Sequence, residues 1–217
     1  MASDEVHGLD AAARGRVDAA IAAAEARTSA EIVVGLVARS GAHRHVPYVA
    51  GLIGAVVAVL LFAAAFWLRN RIWPTVGFDL FLGVAVVGFL LGALAARNGA
   101  TARALAGDDA LLEACERRAA ELFAAHGVAR TAARNGVLLF VSLFEHKVLV
   151  WGDDAVSAAL TPDDYRGVAE IAIGNLRAGR VEEALIDATQ ALGLLLEKPF
   201  PRAANDVNEL PDRLYTA

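Results

Sequence analysis

The stretch "RNGVLLFVSLFEHKVLVWGDD", Arg134 to Asp154, carries the pattern that decides the fold. Two runs rich in β-branched and aromatic residues, 136–143 and 148–151, are separated by a short polar segment, "FEHK". Such runs joined by a tight turn are typical of a β-hairpin. The hairpin begins at a basic residue and ends in two carboxylates, so its open end is a candidate site for chemistry.

The sequence around this hairpin alternates between strand and helix patterns. The near-continuous apolar run "EIVVGLVA", 31–38, predicts a buried strand, and apolar residues at helical spacing precede it from Leu9 to Ala24. Further helices are predicted over 108–126, from Thr161 with Pro162 in its first turn, and from Val181. A strand–helix–strand crossover with an added hairpin predicts a small layered α/β domain with strands 31–38 and 136–143 parallel.

Two long apolar runs interrupt this domain after its first strand. Residues 46–68 carry no charge and are long enough to cross a bilayer core of about 30 Å, and a second run covers about 78–96. The intervening turn holds tryptophans, arginines and a proline, which is typical of the headgroup region. Gly88 and Gly92 share one face of the second run, which favours close packing within a transmembrane hairpin.

The chain therefore divides into four predicted segments. These are the first part of the domain (1–45), the transmembrane hairpin (46–96), the remainder of the domain (97–198) and an extended polar tail (199–217). In the tail, Phe200, Leu210 and Leu214 are predicted to anchor an extended arm along the domain.

Composition and charge narrow the classes of function. The apolar fraction of 57% exceeds the usual 45–50% or so of soluble chains, which agrees with membrane spans. The net charge is −5 and the sequence has no long block of one sign, so nothing in the charge pattern indicates a nucleic-acid surface. The single cysteine, Cys115, lies in a helical apolar pattern and is predicted to be buried. Phosphate loops, dinucleotide fingerprints, nucleophile elbows and zinc spacings are absent from the sequence.

Several stretches together resemble the TPM domain family. They are "EARTSAEIVV", "NGVLLFVSLFEHKV" and "LRAGRVEEALIDA", and the internal spans with "NELPDR" resemble an uncharacterised bacterial membrane-protein branch of that family. The resemblance implies an α/β sandwich. It also implies two kinds of activity, because some members are described as acid phosphatases or bind calcium, and others act in assembly or repair of membrane complexes.

Two spans return the chain to the side it left, so the domain parts before and after the hairpin share one compartment. The arginines that flank the spans on that side outnumber those in the turn: Arg39, Arg44, Arg97 and Arg103 against Arg69 and Arg71. The positive-inside rule then predicts a multi-pass inner-membrane protein with a cytoplasmic domain. The start "MASDEVHGLD" has no secretory signal pattern, which agrees with this orientation.

Strand direction gathers Glu31, Arg134, Asp153 and Asp154 at one end of the predicted sheet. The resemblance would place an acidic metal site there, partly from an Asp just before "NG", a position that Arg134 holds in this chain. Glu31, Asp153 and Asp154 remain as candidate ligands for calcium, which takes several carboxylate oxygens. The alternative is that Asp153 and Asp154 cap a following helix, "AVSAAL", and that Arg134 forms a salt bridge with them.

The other end gathers Arg39, Ser40 and Glu145, with His146 and Lys147 on the adjoining turn. Glu145 and His146 could form a general acid–base pair, but as adjacent turn residues beside a lysine they are expected to be solvated. Two functions follow. The first is an interaction or assembly module at a membrane surface, without a cofactor, whose partners are the bilayer and an unidentified membrane protein. The alternative is a weak calcium-dependent hydrolase resembling a phosphatase.

Overall fold

The computed structural model describes residues 9–70, 77–202 and 207–216. The chain forms two compact units. Met1–Ser40 with Leu112–Ala217 form the first, here called the domain, and Gly41–Leu111 form the second, here called the hairpin unit.

The domain is built around a four-stranded mixed sheet. Its strands are β1 (Ile32–Val37), β2 (Val137–Ser142), β3 (Lys147–Gly152) and β4 (Leu214–Thr216), in the spatial order β3-β2-β1-β4. β1 is parallel to both β2 and β4, whereas β2 and β3 are antiparallel. The predicted crossover and hairpin are confirmed, and β4 is a strand that the sequence pattern did not predict.

Helices connect and cover these strands. They are α1 (Ala11–Glu25), α2 (Val46–Asn70), α3 (Phe78–Ala95), α4 (Gly99–Ala106), α5 (Asp108–Ala125), α6 (Asp154–Ala159), α7 (Pro162–Arg177) and α8 (Val181–Glu197), with a 3₁₀ turn at Val128–Arg130. The predicted start of α7 is confirmed, because Thr161 is the N-cap just before Pro162 and forms a capping box with Asp164. The end of α5 is followed by Gly127 with φ +68°, as the predicted stop requires.

Both faces of the sheet are covered, which makes the domain a layered α/β sandwich. Ile32, Val34 and Leu36 face a core formed with α1, α7 and α8. Val33 and Phe140 face the opposite way, toward Cys115 and its neighbours on α5. Every residue of β1 and β2 is buried, and this explains why their sequences are apolar without alternation.

The hairpin unit contains α2 and α3, which are long and apolar enough to cross a membrane. Only 11% of the apolar window in α2 and 6% of that in α3 is buried, so protein does not cover these helices as it covers core helices of a soluble domain. The predicted interfacial turn with Arg71, Trp73 and Pro74 lies outside the described residues.

The two apolar helices approach each other through glycines. A Cβ added to Gly88 would lie 2.5 Å from the carbonyl oxygen of Gly54, and one added to Gly92 would lie 2.1 Å from that of Ala50. Real Cβ atoms do not come so close to a carbonyl oxygen, so glycine is required at both positions. The predicted close packing within the hairpin is confirmed.

Candidate functional site

The candidate site at the open end of the β2–β3 hairpin begins with Glu31, the residue before β1. Glu31 is buried, and its carboxylate oxygens accept hydrogen bonds from the backbone amides of Glu209 at 3.0 Å and Leu210 at 3.1 Å. Its charge therefore holds the backbone of the C-terminal tail.

Arg134 binds the two carboxylates that follow β3. Its Nε lies 3.0 Å from Oδ2 of buried Asp153, and its Nη2 lies 2.7 Å from Oδ2 of exposed Asp154. A third guanidinium nitrogen, Nη1, donates to the carbonyl of Ala129 at 2.9 Å. The salt-bridge alternative is thus confirmed.

The capping alternative is correct in position but wrong in its contact. Asp153 occupies the N-cap of α6, but its side chain makes no capping hydrogen bond. The amide of Ala155 in the first turn instead donates to the carbonyl of Arg134 at 3.1 Å. Arg134 adopts φ +54°, a left-handed conformation that is uncommon for a residue with a side chain.

The candidate calcium ligands Glu31, Asp153 and Asp154 bind groups of the chain itself. Within residues 9–70, 77–202 and 207–216, no three His, Cys, Asp or Glu side chains are grouped so that they could hold a metal ion. Glu31, Asp153 and Asp154 are all within these ranges. The carboxylate of Glu31 accepts hydrogen bonds from backbone amides, and the guanidinium of Arg134 forms ion pairs with both aspartates.

A cleft of about 340 Å³ opens beside Asp153. It is lined by Phe123, Val150, Trp151, Gly152, Asp153, Ser157 and Tyr165. The Tyr165 hydroxyl is buried, and it has no hydrogen-bond partner within the described part of the chain. A Cβ on Gly152 would lie 2.6 Å from that hydroxyl, so glycine allows the ring to reach the cleft. The cleft combines an aromatic wall, hydroxyl groups and one ion-paired carboxylate.

A second acidic group at this region was missed by sequence reasoning. Glu25, the last residue of α1, is buried, and Oε1 accepts the Ile32 amide at 2.7 Å. It lines a cavity of about 40 Å³ together with Glu31, Arg202, Asn208 and Asp212, among others. The signal was present in the sequence, since Glu25 follows Val17 and Ile21 at four-residue steps along the buried face of α1.

At the other end of the sheet, Arg39, Ser40 and Glu145 come together as predicted. The expectation that Glu145 is solvated is wrong, since its residue surface is only 2% exposed. Its carboxylate accepts the Ser40 amide at 3.0 and 3.1 Å and the Ser142 hydroxyl. The Arg39 guanidinium lies 3.7 Å from the ring centre of Phe144. These donors make the group a structural link between β1 and the turn after β2.

Comparisons with known proteins agree with this fold. The family model for the TPM domain matches residues 90–194, which include β2, β3 and α5 to α7, whereas β1 and β4 lie outside the match. The NMR structure of BA42 protein from the psychrophilic bacterium Bizionia argentinensis is similar, with a TM-score of 0.59, 18% identity and 100% coverage of both chains. At this identity the likeness shows the fold alone. The curated proteins give no match.

Proposed function

Because this chain carries a TPM domain, we propose that it is a membrane-anchored interaction or assembly module. In this proposal α2 and α3 span a bilayer, and the domain holds a membrane protein partner at the surface. The anchoring is supported by two helices that are long, apolar and largely uncovered by protein.

The interaction role is supported by one observation: the carboxylates at the acidic end are bound by other groups of the domain. Glu31 binds two backbone amides, and Arg134 neutralises Asp153 and Asp154. A calcium ion needs six to eight oxygen ligands, several of them free carboxylates. A domain whose carboxylates are bound by its own groups is better suited to holding a partner than to metal-dependent hydrolysis.

Site-specific photo-crosslinking in native membranes tests this role. A photoreactive residue at Leu194 or Ile171, which are exposed on α8 and α7, would sample neighbours of the domain. The matched control is the same residue at Leu60, exposed on α2, which would sample neighbours of the spans. We expect a discrete protein adduct from a domain position that differs from the adducts at Leu60. Domain positions that give no protein adduct would contradict the proposal.

The alternative function, a weak calcium-dependent hydrolase resembling a phosphatase, is favoured by one observation. The cleft beside β3 is of ligand size and places Asp153, Ser157 and Tyr165 on its wall. Arg134 opposes this function, because one unit charge at 4 Å and an effective dielectric near 20 contributes about 4 kcal/mol before screening by solvent.

Two measurements distinguish the two functions. Calcium is titrated calorimetrically into the parent and into the Arg134→Asp variant, and both proteins are assayed for phosphatase activity. Under the main proposal the parent binds calcium poorly, and the variant binds it at least tenfold more tightly. Micromolar binding by the parent that Asp153→Asn abolishes, together with activity, would establish the hydrolase instead.

A further inference from the structure

The C-terminal residues 207–216, here called the strap, cross the acidic end of the domain. The carboxylate of Glu209 accepts the amide of Ala132 at 2.9 and 3.2 Å, and the amide of Leu214 donates to Oδ1 of Asp18 at 2.6 Å. The strap then ends in β4, which pairs with β1. With the two bonds to Glu31, most of these contacts join strap backbone to carboxylates of the domain.

Side chains add contacts at the far end of the strap. Leu214 packs on the core beneath α1 and α8, and Leu210 packs on the core beneath α5. The ring of Tyr215 lies 3.6 Å from that of His126, centre to centre. The strap is thus a docked element with anchors on both faces of the sheet.

One strap contact joins two acids. Oε2 of Glu25 is buried, and it has no N–H or O–H donor among the described residues. Glu25 and Asp212, a strap residue, both line the cavity of about 40 Å³, and their carboxyl groups form a hydrogen bond. Two ionised carboxylates within hydrogen-bonding reach of each other repel, but two carboxyl groups that share one proton form a strong hydrogen bond.

We propose that Glu25 and Asp212 share one proton, and that this proton fastens the strap to the domain. Loss of the proton places two negative charges in one small cavity and releases the strap. The released strap would expose the edge of β1 and free the carboxylate of Glu31 from the amides of Glu209 and Leu210. The strap therefore acts as a proton-dependent cover of the acidic end.

The charged surroundings agree with a retained proton. Glu31 adds negative charge on the domain side, and Arg202 donates to the main-chain carbonyl of Glu25 at 3.3 Å. The side-chain amide of Asn208 donates to Asp212, which favours the ionised form of Asp212 and leaves the proton to Glu25. Burial, the hydrogen bond with Asp212 and the charges of Asp212 and Glu31 raise the pKa of Glu25 to about 9, against the opposing hydrogen bond from the amide of Ile32. Arg213, next to Asp212, lies 5.0 Å over the Tyr215 ring.

The direction of the pH dependence follows from this raised pKa. In the docked state Glu25 keeps its proton up to a pH of about 9, whereas in the detached state its pKa falls toward the ordinary 4.5. Between these two pH values, detachment of the strap therefore releases one proton. The equilibrium constant for detachment rises by up to about tenfold per pH unit in this range. The stabilisation by the shared proton is fully present below the ordinary pKa and is lost as the pH rises through about 9.

Hydrogen–deuterium exchange of the full chain in detergent tests the proposal, with labelling times scaled to the intrinsic exchange rate at each pH. In the parent, the protection of strap amides should fall by about 100-fold or more from pH 6 to pH 9, up to the linkage limit of tenfold per unit. A peptide from α8 that spans Leu185 and Leu192, both buried, is the internal reference. A parent strap whose protection does not change with pH would overturn the proposal.

Two variants assign the effect to the carboxyl pair. Glu25→Gln keeps an uncharged donor toward Asp212 at every pH, so strap protection should become independent of pH. Asp212→Asn provides a second measurement if the first variant does not fold, since its amide can donate to ionised Glu25 and the slope should again be lost. Asp187→Asn removes a surface carboxylate that binds Asn175 on α7, and it should keep the parent's slope. If strap protection in Glu25→Gln or Asp212→Asn still depends on pH as it does in the parent, the shared proton is refuted.

Discussion

Arg134 determines both the backbone conformation and the charge at the open end of the β2–β3 hairpin. Its left-handed backbone brings the main-chain carbonyl to the first turn of α6, and its guanidinium binds Asp153 and Asp154. The side chain is about half exposed, so solvent screens the pair with Asp154 more than the pair with buried Asp153. The contact to Asp153 is therefore the one that matters for stability.

Replacing Arg134 with alanine should destabilise the domain by about 1–3 kcal/mol, because the buried carboxylate of Asp153 would lose its cation. The matched control is Arg166→Ala, which removes an exposed arginine paired with exposed Asp163 at 3.0 Å. That change should cost less than about 0.5 kcal/mol. Denaturant unfolding followed by tryptophan fluorescence measures both. Equal effects of the two changes would show that the Arg134 contact has no special role.

Residue-scale predictions from sequence succeeded where the pattern is local. The salt bridge of Arg134 follows from strand direction and charge. The burial of Glu145 was missed because an acidic turn residue next to a lysine has no local signal of burial, and its donors come from Ser40 and Ser142 in distant and neighbouring parts of the chain. The pairing of Glu25 with Asp212 joins α1 to the tail, and no sequence periodicity links them.

At the scale of elements, the packing of α2 on α3 depends on glycine. Gly88 faces the partner helix, with Ala58 Cβ 2.5 Å from where its own Cβ would stand, whereas Gly83 has no atom within 4 Å of that position. Both lie in α3, so they form a matched pair of sites for the same substitution.

Gly88→Leu should lower the thermal-aggregation midpoint of the detergent-solubilised protein by several degrees, since an added side chain in a close contact costs typically about 1–3 kcal/mol. Gly83→Leu, at the open position, should leave the midpoint within a degree or so. A similar fall for both variants would indicate that any larger side chain on this helix is harmful, and the close contact would not be the cause.

The strap contributes stability as an element. Deleting residues 207–217 removes β4, the anchors Leu210 and Leu214, and the amides bound to Glu31. We expect a lower melting temperature of the domain, because the apolar anchors and hydrogen bonds outweigh the entropy of ordering the segment. The control is Val207→Ala, a change at an exposed strap residue, which should have no measurable effect. An unchanged melting temperature after the deletion would show that the strap is not firmly docked.

Helices with regularly spaced apolar residues and strands with continuous apolar runs could be predicted from the sequence. Elements that depend on tertiary contacts could not. β1, β2 and the start of α7 follow from apolar runs and capping residues. The three residues of β4 lie in a polar tail, and only the free edge of β1 and the acceptors Asp18 and Glu31 make them a strand. The short helix α4 was also missed, although Asn98 caps it by accepting the amide of Ala100 at 2.9 Å.

At the scale of the whole molecule, two neighbouring strands of the sheet are separated in sequence by the hairpin unit. β1 precedes the hairpin unit and its parallel neighbour β2 follows it, so the sheet cannot form until both apolar helices have been made. In our proposal α2 and α3 both span the membrane and bring the chain back to the side it left. The two parts of the domain would then lie on the same side, so that one experiment decides the orientation.

The arginine distribution decides that orientation in our proposal. Four arginines flank the predicted spans on the domain side and two lie at the turn, and the positive-inside rule assigns the richer side to the cytoplasm. A reporter enzyme active only in the cytoplasm, fused after Ala217, should therefore be active. A reporter active only outside, inserted after Asn70, should be active as well.

The positive-inside rule also predicts how charge substitutions change the orientation. Replacing Arg39 and Arg44 with glutamine should weaken the preference for a cytoplasmic domain and give a mixture of both orientations. Replacing Arg177 and Arg180, which are far from the spans, should not. The opposite reporter pattern in the parent would place the domain outside the cytoplasm, and a membrane protein partner would then have to be sought on that side.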